Sequence, residues 1–166
     1  MSNCVKIATI GPRPSELSLQ TKPQEVVNYM IDHWQKELAQ VLPDKPDLIV
    51  VPEMSDCPFH GPGDWPHAKQ FEYYRIRKNQ IRDFFAQTAK KHNCYMVYAA
   101  IREIEDGSWC NSSVVIDRKG NIAGTYNKNH LVIGETTEAG LSYGKEADYP
   151  VRFWPSGLRD LFRSEL

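Results

Sequence analysis

β-branched and smaller residues alternate along the largely apolar Val5–Ile10, which predicts a strand, and Gly11-Pro12 and Pro14 end it. The rhythm then changes. Val27, Met30, Trp34, Leu38 and Val41 recur at helical spacing behind Pro23, a residue suited to a first turn. A helix over residues 24–41 follows, closed by Pro43 and Pro46. Asp47–Pro52 is a short unbroken apolar run, the pattern of a strand covered on both faces. Strand, helix and strand at this spacing form a βαβ unit with parallel neighbouring strands.

Residues 55–66 are rich in Pro, Gly and Asp and predict a loop. A helix is expected over Phe71–His92, burying Ile81, Phe85 and Ala89, and then a strand over Cys94–Ile101. Asp106-Gly107 and Lys119-Gly120 are hairpin signals that bracket a strand at Ser113–Asp117, with another at Ile122–Tyr126. The class is α/β: a βαβ opening that continues into an antiparallel meander. Residues 148–166, with Pro150, Trp154, Pro155 and Gly157, carry no such pattern, so residues 1–147 read as the domain and 148–166 as a divergent tail.

Composition narrows the function classes. The 166 residues are 41% hydrophobic and 25% charged, enough for a core in one domain. Lys plus Arg total 20 and Asp plus Glu 21, which gives no general attraction to nucleic acid or anionic membrane. The longest apolar runs, Leu48–Pro52 and Cys94–Ile101, fall far short of the roughly 20 residues of a spanning helix. Lys6 and the short Ile7–Ile10 stretch do not make a signal peptide. Cys4, Cys57, Cys94 and Cys110 are scattered without a CxxC, so reduced thiols in a cytoplasmic protein are expected, with two disulfides as the lesser alternative.

Two residues stand out chemically. Glu53 follows the apolar run at the carboxyl end of a parallel strand, the edge where open α/β sheets bind ligands. A carboxylate partly withdrawn from water there suits general-base work. Lys128 lies just past a strand, where an ammonium can stabilise a developing oxyanion. Taken singly, each also reads as a solvated charge at a strand end. His60, Asp64 and His67 share one loop but lack a fourth ligand, so no metal site is expected. Phe71, Tyr73, Tyr74, Arg75, Arg77, Lys78 and Arg82 interleave aromatic and basic residues, but Glu72 and Asp83 dilute the charge and no nucleic-acid surface is expected.

In order along the chain come Asp47-Leu48-Ile49-Val50-Val51-Pro52-Glu53-Met54, Asn111-Ser112-Ser113-Val114-Val115-Ile116-Asp117, the run Gly124–Leu131, and Gly134-Glu135-Thr136-Thr137-Glu138-Ala139-Gly140. Together they resemble the nitrilase superfamily of carbon–nitrogen hydrolases. The resemblance implies an α-β-β-α sandwich, a cofactor-free Glu-Lys-Cys mechanism and an amide, nitrile or carbamoyl substrate. Glu53 then matches the general base and Lys128 the catalytic lysine. Glu138 resembles the second glutamate, with Glu135 as the alternative, and Tyr126 and His130 are supporting positions. The family's nucleophilic cysteine follows the lysine by several tens of residues, and this chain has no cysteine after Cys110. The resemblance therefore implies a C-terminally truncated member with an incomplete sandwich, inactive alone. The alternative is a non-catalytic binding module that pairs with another chain. In either case Val50, Val97, Val115 and Ile122 are expected to seek cover, through a homo-oligomer or a partner chain.

Overall fold

A computed structural model describes residues 4–11, 17–18, 20–58, 66–138 and 140–144, and the side chains of His67 and Glu138 are not among what it describes. The residues of the expected tail, 148–166, lie outside this set, as do His60 and Asp64.

Five strands form one sheet in the order β1-β2-β3-β4-β5. They are β1 (Ile7–Thr9), β2 (Leu48–Val50), β3 (Tyr95–Glu103), β4 (Trp109–Ile116) and β5 (Ile122–Asn127). The first three are parallel and the last two join antiparallel, which is the βαβ-then-meander pattern expected. Because β1, β2 and β3 advance in one direction, right-handed crossovers place their connecting helices on the same face of the sheet.

Helix α1 (Pro23–Val41) fills the first crossover and buries Val26, Val27, Met30, Trp34 and Leu38. Pro23 occupies its first turn, where a missing N–H costs nothing. The second crossover departs from the sequence expectation. Instead of one helix from Phe71, there are two, α2 (His67–Arg77) and α3 (Gln80–His92). Lys78, at φ 45° and ψ −121°, breaks them. No Gly or Pro marks the break. Its cause is tertiary: Arg77 turns inward, donates from Nη2 to the Ile101 carbonyl at 2.5 Å and pairs with buried Asp56.

Aromatic rings link the layers. Trp34 of α1 packs on Phe85 of α3 at 5.7 Å between centroids, and Phe85 packs on Tyr98 of β3 at 5.0 Å. Burying side chains of this size contributes about 1.5–3 kcal/mol each. Tyr98 therefore faces the helices, and its cross-strand partner Val114 with it. Alternation sends Val97 and Val115 to the opposite face, where they are half-buried, as Val50 is in β2, while Ile122 at the start of β5 is 51% exposed. Among the described residues, no helix is long and apolar enough to cross a membrane.

β4 begins at Trp109, four residues before the expected Ser113. Its first half, Trp-Cys-Asn-Ser-Ser, lacks a β-branched run, yet Cys110, Asn111 and Ser112 are buried. Cross-strand polar bonds hold it: Ser112 Oγ donates to Asn127 Oδ1 at 2.7 Å.

Candidate active site

β2 stops at Val50, and residues 51–57 turn at the carboxyl edge of the parallel strands. Met54 adopts φ 54°, a left-handed conformation that non-glycine residues hold only where their surroundings fix it. Those surroundings are on both sides of the turn. Ser55 donates from its backbone N–H and from Oγ to the Ala99 carbonyl, both at 2.8 Å. Trp34 Nε1 donates to the Ser55 carbonyl at 2.5 Å, and Tyr73 donates its hydroxyl to the Asp56 carbonyl. Asp56 pairs with Arg77, whose guanidinium lies 5.2 Å from the Tyr74 ring centre. Ser55, Asp56 and Cys57 are thus held inward.

Glu53, on the near side of the turn, faces out. Its side chain is 59% exposed, so the partly dry setting expected for it is not what the described residues provide. The turn buries the residues that follow Glu53 and leaves Glu53 itself at the rim.

Lys128 reaches the same place from the far side of the sheet. The register that pairs Ser112 with Asn127 sets Asn111 opposite Lys128, and the Lys128 N–H donates to the Asn111 carbonyl at 2.8 Å. Lys128 Nζ donates to Glu53 Oε1 at 2.8 Å and to Glu135 Oε1 at 3.1 Å. Glu53 and Lys128 are 75 positions apart in sequence and in direct contact in space.

Glu135 lies on a short π-helical turn, Gly134–Glu138. Such turns are rare and frequently occur at functional sites. Its second oxygen accepts the Val132 N–H at 2.9 Å. Of the two candidate second glutamates, Glu135 is the one seen in this cluster, since the side chain of Glu138 is outside the described residues.

One member had no chemical role assigned from sequence. Asn111 Nδ2 donates to Glu53 Oε1 and to Glu135 Oε1, both at 2.7 Å. Its signal lay in the family-like Asn-Ser-Ser-Val run, where a polar residue sits inside a strand. Tyr126 is half-buried and accepts the Asn129 N–H at 3.4 Å, and His130 is exposed.

The electrostatics follow from the bonds. Burial works against charge on Lys128, but its hydrogen bonds to Glu53 and Glu135 outweigh that and raise its pKa above the ordinary lysine value. Burial likewise opposes the Glu135 anion. The donors Asn111, Val132 N–H and Lys128 prevail and hold its carboxyl below the ordinary range.

All four cysteines are free thiols. Cys4 is exposed ahead of β1, and Cys94 precedes β3, so both sit at the amino edge of the parallel strands. Cys110 is buried and alternates with Asn111 along β4. Cys57 is buried in the turn beside Tyr74, and burial pushes its thiol up to about 12, although the Tyr74 hydroxyl opposes this. A thiol in that state is a poor nucleophile. Among the described residues, no cluster of His, Cys, Asp and Glu could hold a metal ion.

The sequence profile of the carbon-nitrogen hydrolase family matches residues 6–157. No curated protein matches the sequence at a significant level. Solved structures share the fold at low identity. An N-terminal amidase with a bound Asn-Glu-Ala peptide superposes with a TM-score of 0.67 at 18% identity, over 84% of this chain and 31% of that one. A carbon-nitrogen hydrolase from Helicobacter pylori G27 gives 0.60 at 16%, over 86% and 45%. A double mutant of the amidase from Nesterenkonia sp. AN1, in complex with acrylamide, gives 0.63 at 14%, over 87% and 50%. The chain spans half or less of the length of these proteins.

Proposed function

The chain belongs to the carbon–nitrogen hydrolase family, and from that membership we propose that Glu53, Lys128 and Glu135 are the acid–base part of a site for hydrolysing a non-peptide carbon–nitrogen bond. The substrate class is a small amide, nitrile or carbamoyl compound. The observation that carries this reading is Lys128 Nζ bonded to two carboxylates at the carboxyl edge of the sheet.

The roles follow from charge and reach. Glu53, exposed and in contact with Lys128, accepts a proton from a thiol and later from water. The thiolate attacks the substrate carbon, and the positive Lys128 stabilises the oxyanion that forms. The amine or ammonia leaves with the proton that Glu53 took from the thiol, and water activated at the freed Glu53 carboxylate cleaves the thioester, returning a proton to the thiolate. Glu135, with Lys128 and Asn111 as donors, keeps the ammonium in place. None of the four cysteines supplies the thiol, for the reasons of edge, face and burial given above. The 166-residue chain is therefore proposed to bind its substrate class without turnover. Removing a nucleophile from an acyl-transfer site costs several powers of ten in rate.

Two measurements test this. Acrylamide or another small amide titrated into the chain should shift the NMR signals of Glu53, Asn111, Lys128 and Glu135, and Lys128→Met should abolish the response. Ammonia release should stay at the buffer rate. Shifts confined to other parts of the sheet would overturn the site. Ammonia release that disappears in Cys57→Ser would show that the buried thiol reacts after all.

A second reading, a binding module that pairs with a copy of itself or another chain, draws on half-buried Val50, Val97 and Val115 and exposed Ile122. Light scattering over a concentration series tests its self-pairing form, because a monodisperse monomer at every concentration excludes self-association.

A further inference from the structure

We propose that Asn111 is a positioning residue that holds the two carboxylates of the site around one lysine. This rests on the reading of Glu53, Lys128 and Glu135 as the working site. The argument begins with a conflict of charge. Glu53 Oε1 and Glu135 Oε1 each lie 2.7 Å from the same nitrogen, so they are at most twice that distance apart. Two carboxylates that close repel, and the usual outcome is that one takes up a proton. A protonated Glu53 could not act as a base, and a protonated Glu135 would loosen its hold on Lys128.

Lys128 offsets part of this repulsion, but its ammonium is carried on a long, flexible stem and does not by itself fix the spacing of the carboxylates. Asn111 is built differently. Its side chain is short, it projects from a paired strand, and the residue is 4% exposed. Its neighbours are both carboxylate oxygens, so the amide nitrogen faces them and both N–H groups are used. Each N–H donates to one carboxylate, and a donor to a carboxylate favours the ionised form. The two glutamates come from opposite sides of the sheet, one after β2 and one after β5, and Asn111 stands on β4 between them. A rigid pair of donors at that point sets the spacing of the two carboxylates and favours the charged form of Glu135. Asp at this position would add a third negative charge, and Leu would leave the repulsion unrelieved.

The test reads the site directly, with the full chain and without reference to turnover. In the unmodified chain, both side-chain amide protons of Asn111 should move together with the acid titration of the Glu135 carboxyl carbon. In Asn111→Leu and Asn111→Asp, the Glu135 titration midpoint should rise. Asn111 amide protons indifferent to that titration would overturn the proposal with no variant needed. So would a folded Asn111→Leu or Asn111→Asp chain whose Glu135 midpoint is unchanged. A merely structural asparagine would change the melting temperature and leave the midpoint where it was. The outcome is separate from that of the functional reading. Failure of amide binding with an intact Asn111 titration removes the hydrolase site and keeps the clamp. Amide binding with an unresponsive Asn111 does the reverse.

Discussion

Replacing Asp56 with alanine should destabilise the fold by about 3–5 kcal/mol, the range for leaving one member of a buried ion pair alone. The setting supports the upper part of that range. Asp56 is fully buried and Arg77 is 4% exposed. Burial already holds the Arg77 guanidinium below its ordinary pKa, partly offset by Tyr98. Without Asp56, the guanidinium keeps the Ile101 carbonyl and the faces of Tyr73 and Tyr74 but has no anion. For a chain of this size each kcal/mol moves the melting temperature by about 2–4 °C, so the expected drop is about 6–20 °C. Thermal melts and urea titrations with matched slopes measure it. Asp56→Leu with Arg77→Met should recover much of the loss, since an apolar pair of similar volume removes the stranded charge. An Asp56→Ala chain that melts within about 2 °C of the original would refute the reasoning, because a loss below about 1 kcal/mol is that of a solvated pair.

Gly120, at φ +83°, closes the β4–β5 hairpin, and an added Cβ would lie 2.8 Å from the Ala86 carbonyl oxygen, so Gly120→Ala should cost about 1–3 kcal/mol in a urea titration. An unchanged midpoint would mean that the hairpin does not press on α3. Iodoacetamide at pH 8 should label exposed Cys4 and leave Cys57, Cys94 and Cys110 intact in the folded chain, as mass spectrometry reads it. Labelling of Cys57 at the rate of Cys4 would contradict its burial. The pH dependence of stability should have two arms. The depressed Glu135 contributes above its ordinary value of 4.5, and that contribution is lost as the pH falls through its lower folded value. The raised Lys128 contributes fully below its ordinary value of 10.5, and its contribution is lost as the pH rises through the higher folded value. Lys128→Met should remove the alkaline arm and weaken the acid one in melts recorded across that range.

Local periodicity was enough for α1, whose apolar residues keep helical spacing behind Pro23, and for β2, whose unbroken run fits a strand in the middle of the sheet. The break at Lys78 was not legible, because it comes from Asp56 and Ile101, remote in sequence from Arg77. The first half of β4 was missed for a related reason. Its buried residues are polar and are satisfied by bonds across the sheet, so they mimic a loop. Glu53 and Lys128 stood out because each follows a strand. The choice between Glu135 and Glu138 depends on how a π-helical turn aims a side chain, and spacing alone does not set that. Asn111 had no rhythm to mark it, and its two acceptors are contributed by segments 58 residues before it and 24 after.

The sheet order has a kinetic side. Glu53 follows β2, Asn111 lies on β4, and Lys128 follows β5, with β3 between the first two. No single hairpin contains the site, so it cannot form until the non-local β2–β3 ladder and both antiparallel pairings are in place. The reverse process is easier. β5 pairs with β4 alone in the described sheet, and peeling it away carries Lys128 from Glu53 without opening the Trp34–Phe85–Tyr98 core. Amide hydrogens of β5 should therefore exchange through a sub-global opening, at lower free energy than those of β3. The lifetime of the assembled charge cluster is then the lifetime of one peripheral strand.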